Sequence, residues 1–209
     1  MFNGNPSSVT FMNFFEDWMN RKRFILNDLL SARGRLSQDG YRRLVTRMMS
    51  HYQRYYEEKS RATRIDVFVM FSPRWFSTYE QTFLWIAGFK PGIPFRILNR
   101  TVTDLSGEQL RRINILKAET RVREKELSNE LAKVQEGVAT SYLMEIAGGL
   151  VTGGMSADIL RMTIVREIVE ILSPAQSIDF LVAAAQLHIR IRAMGLEKDA
   201  SRNNINGRI

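Results

Sequence analysis

The sequence contains no cysteine and only two histidines. Without cysteine the chain can form no disulfide bond, no thiolate metal site and no cysteine nucleophile, which fits an intracellular protein. Glu16 and Asp17 interrupt the first apolar segment, so no signal peptide is apparent. No apolar run approaches the roughly 18 residues that a membrane-spanning helix needs. We therefore expect a soluble protein with no membrane partner.

The chain also lacks the common short motifs of catalysis and nucleotide binding. It has no G-x-x-x-x-G-K-[ST], no G-x-G-x-x-G after a strand and no H-E-x-x-H. A histidine could act as a general base, but neither histidine has an obvious nucleophile as a partner. We expect no catalytic residues, no metal site and no enzymatic activity.

The two histidines allow structural and ligand-binding interpretations. His51 lies among tyrosines in SHYQRYY, which favours a half-buried packing role. His188 follows the apolar segment FLVAAAQL and is a candidate axial ligand for haem or a metal. Arg192 takes the position one helical turn later, so no second histidine shares that face. A structural role for His188 is therefore favoured over ligand binding.

Apolar residues recur at helical spacing through most of the chain, and no long stretch alternates with a period of two. Phe11, Phe14, Phe15 and Trp18 share one face of a helix, and Gly34 is placed to end it. This pattern predicts an all-α fold, as a single-domain bundle of about six to eight helices that includes two long ones.

Serine residues mark the starts of several predicted helices. Ser37 is placed to cap a long helix that can run to Phe71. Capping boxes, in which a serine and a Glu or Gln three residues later satisfy each other's backbone N–H groups, begin at Ser77, Ser106 and Ser173. These signals divide the chain into helices that begin at defined residues.

The helix that follows Ser106 is predicted to run to about Ala147 and to carry a short apolar seam. The seam consists of Leu127, Leu131, Val134 and Val138. A dimeric coiled coil is one interpretation of this spacing. Because the seam lasts less than two heptads, we favour packing within the chain and expect a monomer.

Glycine-rich and polar segments set the predicted boundaries of the domain. GGLVTGGMS, residues 148–156, is predicted to be a flexible link before a helix over 156–172. Gly195 is predicted to end the last helix. We expect a flexible N-terminus, a helical domain and a disordered tail, over residues 1–10, 11–195 and 196–209 respectively.

The most hydrophobic run, FLWIAGFKPGIPF over residues 83–95, lies beside four backbone breakers. We predict that Ser77 opens a helix that carries FLWIA and that Gly88 closes it in the left-handed conformation. Pro94 is placed as the first residue of a second, short helix. The run is then a buried elbow between two helices, and a ligand pocket at this corner is the alternative.

Positive charge is concentrated in the first half of the chain. The net charge is +8, with 16 basic and 9 acidic residues up to position 105 and 14 and 13 after it. Residues 41–64 contain seven basic and two acidic residues interspersed with four tyrosines, which indicates an amphipathic helix with a cationic outer face. An acidic protein partner is favoured, and a nucleic-acid surface is the alternative. We expect five exposed arginines to form this face: Arg42, Arg43, Arg47, Arg54 and Arg61.

Three long segments together resemble a known plant family. They are HYQRYYEEKSRATRIDVFVMFSPRWFSTYEQTFLWIAGFKPGIPFRIL, DLSGEQLRRINILKAETRVREKELSNELAKVQE and ILSPAQSIDFLVAAAQLHIRIRAMG. This chain is similar to the delay-of-germination (DOG) domain, which also forms the C-terminal part of TGA-type bZIP transcription factors. The resemblance covers about residues 11–195. The core residues of the matching motifs are Asp66, Trp75, Glu80, Trp85 and Gly88.

The resemblance implies an all-α regulatory protein in seed dormancy, germination or related developmental and transcriptional control. It implies action through protein partners, such as a 2C-type protein phosphatase of abscisic acid signalling or a bZIP factor, in the nucleus, the cytoplasm or both. About ten residues precede the domain, so we expect no DNA-binding segment and no direct nucleic-acid contact. The dormancy branch also implies haem as a cofactor, for which His188 is the candidate, although the unmatched second histidine favours no cofactor.

Overall fold

The computed structural model describes residues 6–67, 71, 73–136 and 143–206. In these ranges the chain forms seven helices and one two-stranded sheet. In chain order the elements are α1 Pro6–Ala32, α2 Gln38–Ile65, α3 Thr78–Gln81, β1 Leu84–Trp85, β2 Gly88–Phe89, α4 Ile93–Thr101, α5 Gly107–Glu136, α6 Leu143–Ile171 and α7 Pro174–Asn206. The prediction of an all-α fold is confirmed. Five helices are 27 to 33 residues long, where two long ones were predicted.

Helix α7 is the element around which most of the others pack. It contacts α1, α2, α3 and α4, while α5 and α6 pair with each other. A main core of aliphatic side chains lies where the two groups meet, with Met48, Leu98, Ile164, Ile168 and Leu181 fully buried. A second, aromatic cluster joins the first half of α1 to the end of α2 and the segment before α3.

The predicted serine caps are confirmed. The Ser37 side chain accepts a hydrogen bond from the Gly40 backbone N–H at the start of α2. At Ser77, Ser106 and Ser173 the serine hydroxyl accepts from the backbone N–H three residues later, and the Glu or Gln there accepts from the serine N–H in return. The predicted stop at Gly34 is also confirmed, since α1 ends at Ala32 and Gly34 has a φ of 71°.

Two long helices have different ends from those predicted. Helix α1 begins at Pro6, so the expected flexible segment over residues 1–10 is wrong for residues 6–10. Helix α2 ends at Ile65 and not at Phe71, because Asp66 takes an extended conformation with a φ of −150°. At about 1.5 Å per residue, its 28 residues span roughly 42 Å.

Glycines account for the largest errors in the predicted boundaries. Residues 148–156 lie inside α6, so the predicted flexible link there is wrong. A Cβ atom at Gly149 would lie 2.8 Å from a methyl group of Val134, so this glycine allows α5 to approach α6. Val134 of the seam on α5 therefore packs against α6, and the expected monomer stays a prediction. Residues 143–147 belong to α6, which packs back on α5. The prediction that the helix after Ser106 runs to Ala147 is therefore wrong. Val138 lies outside the described residues.

Helix α7 continues through Gly195 to Asn206, so the prediction that Gly195 ends it is wrong. A Cβ atom at Gly195 would overlap the Ser77 hydroxyl oxygen. The glycine is therefore needed for the close crossing of α7 over the start of α3. The predicted disordered tail is wrong for residues 196–206, and residues 207–209 lie outside the described part of the chain.

Within the described ranges, no helix combines the length and the apolar character that crossing a membrane requires.

Candidate functional site

The apolar stretch over residues 83–95 forms a β-hairpin instead of the predicted helical elbow. Ser77 opens only the single turn α3, and β1 then pairs with β2, so that Leu84 lies opposite Phe89 and Trp85 opposite Gly88. The predictions of a helix carrying FLWIA and of a left-handed Gly88 that closes it are therefore wrong. The predicted short helix at Pro94 is present as α4.

The turn of this hairpin is strained. Its two central residues, Ile86 and Ala87, have positive φ angles of 42° and 56° and are both buried. Positive φ at both central positions matches a type I′ turn, which normally takes Asn-Gly or similar residues. A non-glycine residue held in this region costs about 1–3 kcal/mol, and the cost is greatest for a β-branched side chain. Contacts from outside the hairpin must therefore hold it in place.

Two buried cations supply those contacts. Arg161 of α6 donates to the carbonyl oxygens of Trp85, of Ile86 at 2.8 Å and of Phe89 at 2.7 Å. Lys59 of α2 donates to the carbonyl oxygen of Ala87 at 2.6 Å. Asp158 pairs with both cations, at 2.8 Å from Lys59 Nζ and 2.5 Å from Arg161 Nη1. We call Lys59, Asp158 and Arg161 the hairpin clamp.

The clamp explains the residues that the hairpin requires. A Cβ atom at Gly88 would lie 2.7 Å from Cζ of Arg161, so Gly88 allows a close approach rather than a special backbone conformation. Trp85 is half-buried, and its indole N–H donates to the Ser128 hydroxyl on α5 at 3.1 Å. The hairpin is thus joined to α2, α5 and α6.

A second buried ionic network is centred on Arg192 of α7. Its guanidinium donates to Glu80 at 2.9 Å, to the carbonyl oxygen of Trp75 at 2.6 Å and to Glu16 of α1. The same Glu80 oxygen accepts from the backbone N–H and the hydroxyl of Ser77 at 2.8 and 2.7 Å. Glu80 and Arg192 are both buried, so their charges compensate each other away from water.

The structure thus gives each family-motif residue a position. Trp75, Glu80 and Gly88 are buried, whereas Trp85 is half-buried. Asp66 is half-buried and directly follows α2, where its backbone N–H caps the helix. Four of the five residues contact the clamp, the hairpin or the Arg192 network, which indicates a structural contribution.

The two histidines lie in a stack of aromatic rings near a buried lysine. The His51 ring lies parallel to the Trp18 ring with centroids 4.7 Å apart, and the Trp18 indole N–H donates to the His51 carbonyl oxygen. Lys22 of α1 is fully buried, with its Nζ 3.8 Å from the centroid of the Trp18 ring and 2.7 Å from Nδ1 of His188. The packing role predicted for His51 is confirmed, although the side chain is buried and not half-buried.

Burial, with the nearby charges of Lys22 and Arg21, lowers the pKa of His51 to about 3. The unfolded chain therefore takes up this proton first as the pH falls below about 6.5, and the free energy of unfolding decreases from there towards pH 3. We expect His51→Phe, which keeps the ring, to resist acid better than the wild type. The difference should grow by at most about 1.4 kcal/mol per pH unit below pH 6.5.

Urea unfolding between pH 7.5 and 4.5 measures this difference, with the wild type and the variant compared at each pH. The carboxylates titrate alike in both proteins, so only the histidine contributes to the change in the difference. Parallel stability profiles for the two proteins would contradict the assignment.

A cavity of about 140 Å³ lies between the hairpin clamp and His188. Since a cavity of about 150 Å³ holds a benzene-sized molecule, a porphyrin macrocycle does not fit here. Nδ1 of His188 is also engaged with Lys22. The described residues around His188 thus do not fit a haem, and no three His, Asp or Glu side chains in that part of the chain are close enough to hold a metal ion.

The five arginines predicted to form a cationic face are all exposed along α2. Three of them are paired with a neighbouring carboxylate: Arg42 with Asp39, Arg47 with Asp28 and Arg61 with Glu58. Arg43 and Arg54 have no ion pair with any described residue. We call these five arginines the cationic face, and their role in binding stays a prediction.

A groove of about 450 Å³ between α2 and α6 continues the cationic face. Arg61, Arg64 and Arg166 border it, together with Met155 and Ile159. Ile159 is 64% exposed, so the groove combines positive charge with an open apolar surface. Sequence reasoning missed Arg166, because only the packing of α6 beside α2 brings it to this surface.

Sequence comparisons place the chain among plant proteins. The family model DOG1, described as seed dormancy control, matches residues 25–100. Protein ZW2 of Arabidopsis thaliana is 33% identical, and the match covers 91% of this chain and 98% of that protein. Protein RESPONSE TO ABA AND SALT 1 of the same species is 34% identical, over 92% and 97%. Transcription factor TGA2 of that species is 24% identical, over 91% of this chain and 65% of its own length.

Proposed function

Because this chain belongs to the DOG1 family of seed dormancy control proteins, we propose that it is a non-catalytic plant regulator that acts by binding another protein. The cationic face carries this proposal. It presents five exposed arginines along one long helix, and two of them have no carboxylate partner among the described residues. Such a surface attracts an acidic partner over several ångströms and raises its rate of association.

The groove between α2 and α6 supports an acidic segment with an apolar side as the element that binds. Arg61, Arg64 and Arg166 can pair with its carboxylates, since guanidinium groups suit bidentate contacts with carboxylates. Met155 and Ile159 offer apolar contact in the same groove. A partner that uses both the face and the groove would gain association rate from the first and a longer-lived complex from the second.

Two classes of partner fit the relatives. A 2C-type protein phosphatase of abscisic acid signalling is supported by the relative named RESPONSE TO ABA AND SALT 1. A bZIP factor, through which the chain would reach DNA without contacting it, is supported by the relative named as transcription factor TGA2. With either partner, the protein would act in the nucleus, the cytoplasm or both.

Reversing the charge of two arginines tests the proposal. Arg43→Glu/Arg54→Glu removes the two arginines of the cationic face that lack an ion pair, so the fold is not disturbed by a stranded carboxylate. We expect the association rate constant with the true partner to fall by about tenfold or more at low ionic strength. The difference should largely vanish in 1 M salt, where the Debye length is about 3 Å. Surface plasmon resonance with an immobilised 2C-type phosphatase and an immobilised bZIP factor measures both rate constants.

Arg112→Glu/Arg121→Glu on α5 is the matched control. These two arginines are also exposed on a long helix and have no ion pair among the described residues, so the net charge changes equally. If both double variants slow association to the same extent, net charge alone is responsible and the face is not the binding surface. If only one of the two partner classes responds to the α2 variant, that class is the partner.

A further inference from the structure

The cavity beside His188 has mostly apolar walls, which also include the three charged residues of the hairpin clamp. It lies between α2, the hairpin, α6 and α7, and its lining includes Tyr56, Phe89, Val165 and Ala184. At about 140 Å³ it is close to the size of an engineered protein cavity that stays dry and binds benzene. Its size and walls therefore suit one aromatic ring.

One polar group at this cavity lacks a partner. Nε2 of His188 is enclosed and makes no hydrogen bond with any described residue, although such groups are rarely left unsatisfied. Nδ1 of the same ring lies 2.7 Å from Lys22 Nζ. When Lys22 is an ammonium it can only donate, so Nδ1 then accepts and the proton of the neutral imidazole lies on Nε2, from which it can be donated to a ligand oxygen.

The charges around the cavity favour a ligand with a negative charge. Lys59 and Arg161 share the single carboxylate of Asp158, which leaves one positive charge in excess. Lys22 has no ion pair among the described residues, and its burial lowers its pKa. A carboxylate bound to Nε2 of His188 would complete a hydrogen-bonded chain to Lys22 and favour the ammonium form of that lysine.

A second opening of about 130 Å³ adjoins the cavity and shares His188, Phe89 and Ala184 with it. This opening is also bordered by Lys90 and Leu187, both of which are exposed, so it leads to the surface between α4 and α7.

We propose that this cavity binds a single-ring aromatic carboxylic acid of about the size of benzoate, with its ring among the apolar walls and its carboxylate on Nε2 of His188. This site shares Lys59 and Asp158 with the groove between α2 and α6, but no arginine of the cationic face lines it, so ligand binding there does not require a protein partner.

Isothermal titration calorimetry of the full chain with benzoate, and with benzyl alcohol as a neutral ligand of similar shape, tests the proposal. We expect saturable binding of benzoate, at least about tenfold tighter than that of benzyl alcohol, because a hydrogen bond to a charged group is lost in the neutral ligand. His188→Phe keeps a ring in the wall but removes the donor, so it should abolish the preference for benzoate.

Ala184→Leu should fill the cavity and abolish binding of both ligands. Ala193→Leu, on the exposed side of the same helix, is the matched control and should bind benzoate as the wild type does. If thermal unfolding shows that Ala184→Leu does not fold, Val165→Phe fills the same cavity. The proposal is overturned if benzoate does not bind saturably, if a cavity-filling variant that folds still binds it, or if His188→Phe leaves the preference for benzoate unchanged.

Discussion

Arg161→Met is expected to lower the free energy of unfolding by about 3–5 kcal/mol, the range typical of removing one partner from a buried ionic network. The substitution removes three hydrogen bonds to the carbonyl oxygens of Trp85, Ile86 and Phe89. It leaves these oxygens with fewer partners in a buried region, and nothing else in α6 can replace the guanidinium fork. The strain of the two positive φ angles is then no longer offset.

Denaturant unfolding, monitored by circular dichroism, measures the loss in the free energy of unfolding. Hydrogen exchange shows which part of the chain is destabilised. The amides of residues 84–90 should exchange faster in the variant than those of α1. Gly88→Ala tests the same contact from the other side, since its Cβ would displace Arg161, and should raise exchange in the same segment. Arg166→Met is the matched control, because Arg166 lies on the same helix but is exposed, and should change stability by less than about 0.5 kcal/mol. A loss in Arg161→Met no larger than in this control would contradict the role of the clamp.

Arg192→Met is expected to cause a loss of similar size, about 3–5 kcal/mol, for a different reason. It leaves the fully buried carboxylate of Glu80 without its cation, and it separates α7 from α1 and from the segment around Trp75. Glu80→Gln keeps the shape of the side chain and leaves Arg192 paired with Glu16. It should therefore cost less than Arg192→Met, which leaves Glu80 with no cation.

The double variant Glu80→Gln/Arg192→Met should lose less stability than the sum of the two single variants, because neither charge is then left unpaired. Denaturant unfolding of all four proteins gives this coupling energy. Arg190→Met, which changes an exposed arginine on the same helix, is the control. Additive losses in the double variant would show that Glu80 and Arg192 act independently and would contradict the network.

Helix starts could be predicted from the sequence because their signals are local. The boxes at Ser77, Ser106 and Ser173 each join residues three positions apart, so a short stretch of sequence contains both partners. The exposure of the arginines on α2 was predictable for the same reason, since helical periodicity alone decides which residues of an amphipathic helix face water.

The hairpin could not be predicted in this way. The run FLWIA fits a helix as well as a buried strand, and its turn carries Ile86 and Ala87 in place of the usual Asn-Gly. Two cations stabilise the hairpin. Lys59 lies 28 residues before Ala87, and Arg161 lies 72 residues after Phe89. Such long-range donors leave no trace in the local pattern.

Whether a glycine ends a helix or lies inside one could not be predicted, for a related reason. Gly34 ends a helix through its own backbone conformation, which depends only on neighbouring residues. Gly149 and Gly195 lie inside helices because another element approaches each of them too closely for a side chain. The two uses look the same in a sequence, and only the packing of α5 on α6 and of α7 on Ser77 separates them.

The far end of α7 has a consequence for fragment design. Beyond Arg192 and Gly195, Lys198 lies 4.1 Å from the centroid of the Tyr79 ring, and Asp199 accepts a hydrogen bond from the backbone N–H of Thr78 at 2.9 Å. The last turns of the chain therefore cap the N-terminus of α3. An expression fragment that stops at Gly195 would discard these contacts, so we expect it to be less stable than one that retains the helix past Asp199.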